Sequence, residues 1–335
     1  MENHKSAKEL RVIAEGIRVV TLQTLENFGA GHIGGAMSVV ETLAVLYGSE
    51  LRCDPQNPNW EGRDRLVMSK GHAGPALYAT LSLRGFFPKE MLSELNQGGG
   101  RLPSHCDRNK TPGVDMTTGS LGQGISAAIG IALGNRLNSS DSLTYLIIGD
   151  GECDEGQIWE GAMFAAHYKL DNLITFVDYN KQQLDGFTKD ILDTGDIGGK
   201  FAAFGWFVQT VNGHDTGAIL DAVIAAKNNK GRPSVIVLDT IKGYGSSFAE
   251  GIEGNHHMNF TKEQMEEAVK KATERLEEAR TAAIEEDKQS AAEETGVPVI
   301  IDTESTEAFE KDVKAIFESE LIKSADDKGE ENLNV

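Results

Sequence analysis

Residues 144–180 read TYLIIGDGECDEGQIWEGAMFAAHYKLDNLITFVDYN, and the fold follows from how their apolar residues are spaced. Residues 144–148 form a short apolar run closed by Gly149-Asp150-Gly151. Residues 173–178 form a second, closed by Asp178-Tyr179-Asn180. Runs of this length without polar alternation suit strands covered on both faces. Between them, residues 157–168 carry Ile158, Ala162, Ala165 and Ala166 on one side, which predicts a helix. Strand, helix, strand over this distance is a βαβ unit with parallel strands. Working outward, residues 65–68, 206–211 and 234–239 are further candidate strands, with helix-period segments between them. The expected fold class is α/β: a doubly wound, mostly parallel sheet with helices on both faces.

With 335 residues, 39% of them hydrophobic, the chain has the material to bury a core, and disorder throughout is excluded. Its 52 acidic and 32 basic residues leave a net charge of −20, which disfavours broad contact with nucleic acid or anionic lipid. Cys53, Cys106 and Cys153 are scattered without a C-x-x-C, against a disulfide framework or a zinc ribbon. The N-terminus is polar and no apolar run approaches the roughly 18 residues that span a bilayer, so a cytoplasmic location is expected.

Composition shifts near residue 260, dividing a domain over 1–260 from an acidic, mainly helical C-terminal extension over 261–335. The extension holds 22 acidic and 10 basic residues, −12 of the total −20. Residues 261–294 read as a charged helix with a narrow apolar stripe at Met265, Val269 and Leu276. Gly296 and Pro298 end it, 299–301 is a candidate strand, and 308–322 is a second amphipathic candidate. A solvated appendage and a docking arm for a partner would both have this composition.

Gly29-Ala30-Gly31-His32-Ile33-Gly34 matches the dinucleotide fingerprint G-x-G-x-x-G letter for letter. That fingerprint needs a strand before it. Here Leu10, Ile13, Ile17, Val20 and the pair Thr24 and Leu25 recur at helical spacing, so the glycines end a helix. The stronger constellation is Asp150 with Asn180, because open α/β sheets bind ligands outside the carboxyl ends of their strands. One carboxylate and one amide oxygen are too few for a protein-only cage, but they suit Mg²⁺ shared with a ligand's phosphates. The plainer reading, a turn that happens to contain Asp and Asn, stays beside it.

Gly149-Asp150-Gly151-Glu152-Cys153-Asp154-Glu155-Gly156, followed by Leu170-Asp171-Asn172-Leu173 and closing in Asn180, resembles the thiamine diphosphate motif in the wording of transketolases. Thr117-Thr118-Gly119-Ser120-Leu121-Gly122-Gln123-Gly124 is similar to that family's T-T-G-P-L-G-Q-G loop, with Ser120 in place of proline. Gly31-His32-Ile33-Gly34 resembles its G-H-P-G. Arg63-Asp64-Arg65 and Ser69-Lys70-Gly71-His72-Ala73 resemble its R-D-R and S-x-G-H-A. The matches follow the family's order over roughly residues 10–244.

The resemblance implies transfer of a two-carbon ketol unit from a ketose phosphate to an aldose phosphate, as in pentose phosphate metabolism, with thiamine diphosphate and Mg²⁺. A full transketolase adds a pyrimidine-binding domain, with the Glu that activates the coenzyme, and a third domain. By the resemblance this chain is the N-terminal subunit of a split transketolase. It would act only with a C-terminal subunit that supplies that Glu, two copies of each chain forming a heterotetramer. The alternatives are the α subunit of a 2-oxo-acid dehydrogenase, a deoxyxylulose-phosphate synthase, or a non-catalytic cofactor-binding subunit. The loop at 117–124 speaks against the first two, and His32, His72 and His105 against the third.

The resemblance also implies residue roles. Asp150 and Asn180 bind the metal, with the backbone carbonyl of Gln182 as a third ligand, while Gly151, Gly119 and Leu121 contact the cofactor. Histidine suits proton work because its unperturbed pKa is about 6.5. His32 serves the hydroxyl at the cleaved bond, His72 lies near the diphosphate, and His105 meets the donor's terminal hydroxyl. His256 and His257 stand where the family has a His after Gly243-Tyr244-Gly245; the alignment is ambiguous, either can reach the substrate and diphosphate, and one of the pair reads equally as a spectator. Glu155 matches the acid that meets the partner's carboxylates across the interface; it reads equally as an acid favoured at a helix N-terminus. His4, His167 and His214 read as terminal, helical and turn residues without a part in catalysis.

Overall fold

The computed structural model describes residues 4–295. The strand expected at 299–301, the helix expected at 308–322 and the break at Gly296 and Pro298 lie outside the described residues.

The strands are β1 (Ala30–Gly31), β2 (Arg65–Met68), β3 (Thr144–Gly149), β4 (Leu173–Tyr179), β5 (Phe207–Asn212), β6 (Ser234–Asp239) and β7 (Met258–Asn259). Five of them form a parallel sheet in the order β2-β3-β4-β6-β5, and β1 pairs with β7 antiparallel. The helices are α1 (Ala7–Glu26), α2 (Ile33–Met37), α3 (Val40–Val45), α4 (Gly74–Leu83), α5 (Gln123–Leu137), α6 (Gly156–His167), α7 (Thr188–Ile191), α8 (Ile197–Ala203), α9 (Thr216–Asn228) and α10 (Lys262–Thr295).

The strand period of two divides the sheet's side chains between two cores. Tyr145, Ile147, Ile174 and Phe176 enter one, with apolar residues of α1, α3, α4, α9 and α10. Leu146, Ile148, Leu173 and Val177 enter the other, with residues of α5, α6 and α8. Both faces are therefore covered, which is why the central strands lack polar alternation. The strand expected at 206–211 starts one residue later because Trp206 belongs to the second core, where its indole N–H donates to the Ala162 carbonyl at 2.8 Å.

Helix α1 starts where Ser6 and Glu9 form a reciprocal capping box: the Glu9 N–H donates to Ser6 Oγ at 3.2 Å and the Ser6 N–H to Glu9 Oε2 at 2.6 Å. Past its end at Glu26 the chain turns at Gly29, whose φ of +76° is the left-handed conformation that glycine allows. The G-x-G-x-x-G match thus follows a helix, as its flanking periodicity indicates.

Helix α10 corrects the reading of its apolar stripe. Met265, Ala268, Ala272, Leu276, Ala279 and Ala283 are all buried in the core that contains α1. Their spacing of three and four is that of a helix–helix seam, and four of the six are alanines, which let the axes approach closely. Counting only large residues makes the stripe narrow. As far as Ala283, the helix is part of the first core and not a solvated appendage. Leu276→Ala is expected to lower stability by about 3 kcal/mol in urea unfolding, the cost of emptying a fully buried leucine site. A change below about 0.5 kcal/mol would mean that the seam is not packed.

Candidate active site

The carboxyl ends of β3 and β4 meet in register, Gly149 opposite Asp178, so the residues that follow them share one edge. Asp150 is buried there, its Oδ1 accepting from the Gly151 N–H at 2.8 Å and its Oδ2 from the Lys181 N–H at 2.6 Å. Lys181 adopts φ +65°, a left-handed conformation that aims its N–H at Asp150. Asn180 donates to Asp178 Oδ2 at 2.8 Å, and its Oδ1 accepts from the Gln182 N–H at 3.1 Å. The Gln182 side chain points away, its amide donating to the Gly251 carbonyl at 3.3 Å, and its backbone carbonyl accepts from Lys242 Nζ at 3.4 Å.

Five histidines converge. His32 has the rings of His72, His105, His256 and His257 at 5.8, 5.1, 5.4 and 4.7 Å between centroids, and His72 and His256 lie 4.5 Å apart. The β1–β7 pair explains the convergence, since Gly31 opposite Met258 sets His32 beside the His256-His257 tandem. Two backbone bonds hold the same loops together, Gly34 N–H to the Asn255 carbonyl at 3.0 Å and Gly243 N–H to the Gly34 carbonyl at 2.9 Å. Both tandem histidines belong to the cluster. His4, His167 and His214 lie elsewhere: His4 pairs with Glu50, His167 closes α6, and His214 stacks on Tyr244 at 3.6 Å.

The electrostatics of this edge are unbalanced. Burial pushes the Asp150 carboxyl up to about 7, and the neighbouring Asp178 charge adds to the shift. Burial, then His105, His257 and Lys242, lowers His32 to about 4. Burial with Lys242 and His32 lowers His256 to about 3. His72 is also well below its usual range, through burial and Lys70, and Lys242 falls to about 8 through burial and Lys70. A carboxylate that resists ionisation, beside imidazoles and an amine that resist protonation, suits a cation for the former and an anionic group for the latter. The residues present therefore fit a metal–diphosphate ligand. Among the described residues no three His, Cys, Asp or Glu side chains form a metal cage.

Gly119 lies against His105 and Gly151 follows Asp150, while Leu121 is half-buried in the loop before α5. Gly119 has φ +134°, and a Cβ there would meet the His105 ring at 3.0 Å. One at Gly151 would meet Gln183 Cγ at 2.9 Å. Glu155 is exposed at the cap position of α6 and makes no side-chain capping bond.

Four residues received no role from the reading of motifs. Asp178 is fully buried and accepts from Lys70 Nζ, Thr240 Oγ1 and Ser38 Oγ as well as Asn180. Burial alone would raise its pKa, but Lys70 and the hydroxyls bring it below the usual range. Glu152, also buried, accepts from Ser69 Oγ, the Gly122 N–H at 2.9 Å and the Gly149 N–H at 3.1 Å, tying β2, β3 and the start of α5. Lys70 and Lys242 were detectable in principle. Each is a lone cation beside an apolar segment, and a buried cation must find partners.

The family model described as "Transketolase, thiamine diphosphate binding domain" matches residues 10–316. The chain is 53% identical over 261 residues to the 6-deoxy-6-sulfo-D-fructose transketolase subunit SqwG of Clostridium sp. (strain MSTE9), covering 78% of this chain and 95% of that protein. It is 39% identical over 248 residues to one of the named subunits of the apulose-4-phosphate transketolase of Phocaeicola vulgatus, covering 74% and 88%. Among solved structures it is similar to the transketolase of Campylobacter jejuni, with TM-score 0.75, 28% identity, and coverage of 96% of this chain and 48% of that one. The transketolase of Pichia stipitis in complex with sedoheptulose 7-phosphate gives TM-score 0.73 at 29% identity, covering 88% and 47%. The chain spans about half the length of these solved transketolases.

Proposed function

Because this chain belongs to the transketolase family and carries its thiamine diphosphate binding domain, we propose that it is the N-terminal subunit of a split transketolase. It transfers a two-carbon ketol unit from a ketose phosphate to an aldose phosphate with thiamine diphosphate and Mg²⁺, and a separate C-terminal subunit completes the site. The observation that carries this reading is the five-histidine cluster beside the Asp150–Asn180 edge. Relatives named as transketolase subunits, at nearly full length, support the split arrangement. A heterotetramer and a cytoplasmic location fit the same reading.

Bound thiamine diphosphate supplies the electron sink for breaking the carbon–carbon bond beside a ketose carbonyl. Asp150, Asn180 and the Gln182 carbonyl hold Mg²⁺, and Gly151 lets the diphosphate approach the backbone. His72 and His257 would contact the diphosphate, and Gly119 and Leu121 would contact the cofactor. His32 is neutral at pH 7 by its lowered pKa, so it can accept the proton of the hydroxyl at the cleaved bond. His105 and His256, lowered by the same burial, hold substrate hydroxyls as neutral donors or acceptors. Glu155, exposed beside the edge, is free to meet a partner subunit's carboxylates.

The test is turnover of the purified chain with and without its C-terminal partner. The donor panel includes ketose phosphates, 6-deoxy-6-sulfofructose and apulose 4-phosphate. Activity only with the partner is expected; full turnover by the chain alone refutes the split reading. In the reconstituted enzyme, His32→Ala is expected to lower kcat by about 100-fold or more while cofactor affinity changes little. A variant that lost cofactor binding instead would reassign His32 to the diphosphate.

A further inference from the structure

A second charged pocket lies away from the strand ends that carry the histidines. Strand β2 is an edge of the sheet, and residues around its amino end line a cavity of about 480 Å³ with the segment 108–115. Arg63, Arg65, Arg108 and Lys110 line it, with Asp115 as the one carboxylate among its lining residues. Asp115 is already engaged: one oxygen pairs with Arg63 Nη2, and the other accepts from the Leu66 N–H at 2.8 Å.

Among the described residues the remaining cations form no further ion pair within the pocket. Arg63 is only 9% exposed, and its Nε is buried with no hydrogen-bond partner among the described residues. Among the described residues Arg65 donates to carbonyls alone, those of Arg63 at 2.6 Å, Asp64 at 3.3 Å and Trp60 at 3.4 Å. Burial, then the neighbouring Arg63 charge and more weakly Arg108, lowers its pKa against the opposing pull of Asp115 and Asp64. Arg108 and Lys110 are exposed, and among the described residues neither forms an ion pair with a carboxylate. In a chain of net charge −20, four cations around one neutralised carboxylate are a concentrated exception.

We propose that this pocket is a second binding site, for a phosphate or sulfonate group, free or carried on a small metabolite. Arg65, Arg108 and Lys110 provide the charge that receives it, and the planar arginine forks match the oxygens of such anions. The volume is that of a small-ligand pocket. The pocket is distinct from the edge that holds Asp150 and Asn180, because parallel strands put their amino and carboxyl ends at opposite edges of the sheet. The proposal stands independently of the ketol-transfer reading.

Calorimetric titration of the full chain with inorganic phosphate, glycerol 3-phosphate and propane-1-sulfonate tests it, at about 0.15 M ionic strength so that diffuse attraction is screened. The expected result is uptake of about one equivalent of at least one probe, weakened roughly tenfold or more in Arg108→Gln/Lys110→Gln. Both side chains are exposed, so the variant should fold, and its thiamine diphosphate affinity should match that of the unmodified chain. Tighter binding of glycerol 3-phosphate than of inorganic phosphate identifies a carried group, and equal binding a free one. Absence of uptake of all three probes, or uptake that the double variant leaves unchanged, overturns the proposal.

Discussion

Asp150→Ala is expected to abolish uptake of Mg²⁺ and thiamine diphosphate, weakening the coenzyme by about 100-fold or more and removing turnover in the reconstituted enzyme. Asp150 is the one carboxylate of the proposed ligand set, and an amide and a backbone carbonyl cannot replace its charge. Trp159 is a convenient reporter, since its indole N–H donates to the Cys153 carbonyl at 2.9 Å, just beyond the Asp150 turn. Mg²⁺-dependent quenching of its fluorescence should disappear in the variant. The ligand-free fold should survive. The variant loses the bonds from Gly151 and Lys181, but it also loses a carboxylate buried beside Asp178. Coenzyme affinity retained within about threefold would reject Asp150 as a ligand.

The same residue sets a pH dependence. Because burial raises its pKa to about 7, the folded chain holds this proton where the unfolded chain has released it. The stabilisation is complete below about pH 4 and is lost as pH rises through about 7. Metal binding needs the ionised form, so the affinity for Mg²⁺ with coenzyme should fall as pH drops below 7. A flat affinity between pH 6 and 8 would separate Asp150 from the metal.

Arg18→Met is the largest expected change in stability, a loss of about 3–5 kcal/mol in urea unfolding. Arg18 is fully buried. Its Nε donates to Glu15 Oε2 at 3.0 Å, its Nη2 to Glu41, and its Nη1 to the carbonyls of Tyr244 at 2.5 Å and Met37 at 3.3 Å. Glu15 would keep Arg275 at 2.8 Å, but among the described residues Glu41 would keep only His214, at 3.4 Å, as a side-chain ion-pair partner. Burial pushes the Glu41 carboxyl up, and Arg18 with His214 brings it below its usual range, so removing Arg18 strands a buried charge. Adding Glu41→Gln to the variant should recover part of the loss. A double variant no more stable than the single one would show that packing, not charge, sets the cost. Tyr244 opens the loop that leads to His256 and His257, so the single variant should also lose activity.

Thr144 to Ile148 and Leu173 to Asp178 were readable as buried strands because a two-faced cover explains continuous apolar runs. The strand ends then located Asp150 and Asn180 without any tertiary information. Helix α10 was readable as a helix, but its packing was hidden in alanines, which look neutral in composition and act as spacers in a seam. His256 and His257 could not be separated in the chain because their loop has no period. The pairing of two-residue strands, with Gly31 opposite Met258, brings both to His32.

By itself the sequence determined the parallel α/β class, the strand edge at which chemistry is expected, and the family whose motifs occupy it. These follow from local periodicity and from short runs of residues whose neighbours in the chain are also their neighbours in space. Only the tertiary structure decided which charges are buried together. Lys70 meets Asp178 across 108 positions, Arg18 meets the Tyr244 carbonyl across 226, and Arg63 meets Asp115 across 52. Whether a charge is paired, perturbed or left open to a ligand depends on distance and dielectric, and in a linear chain neither has yet been set.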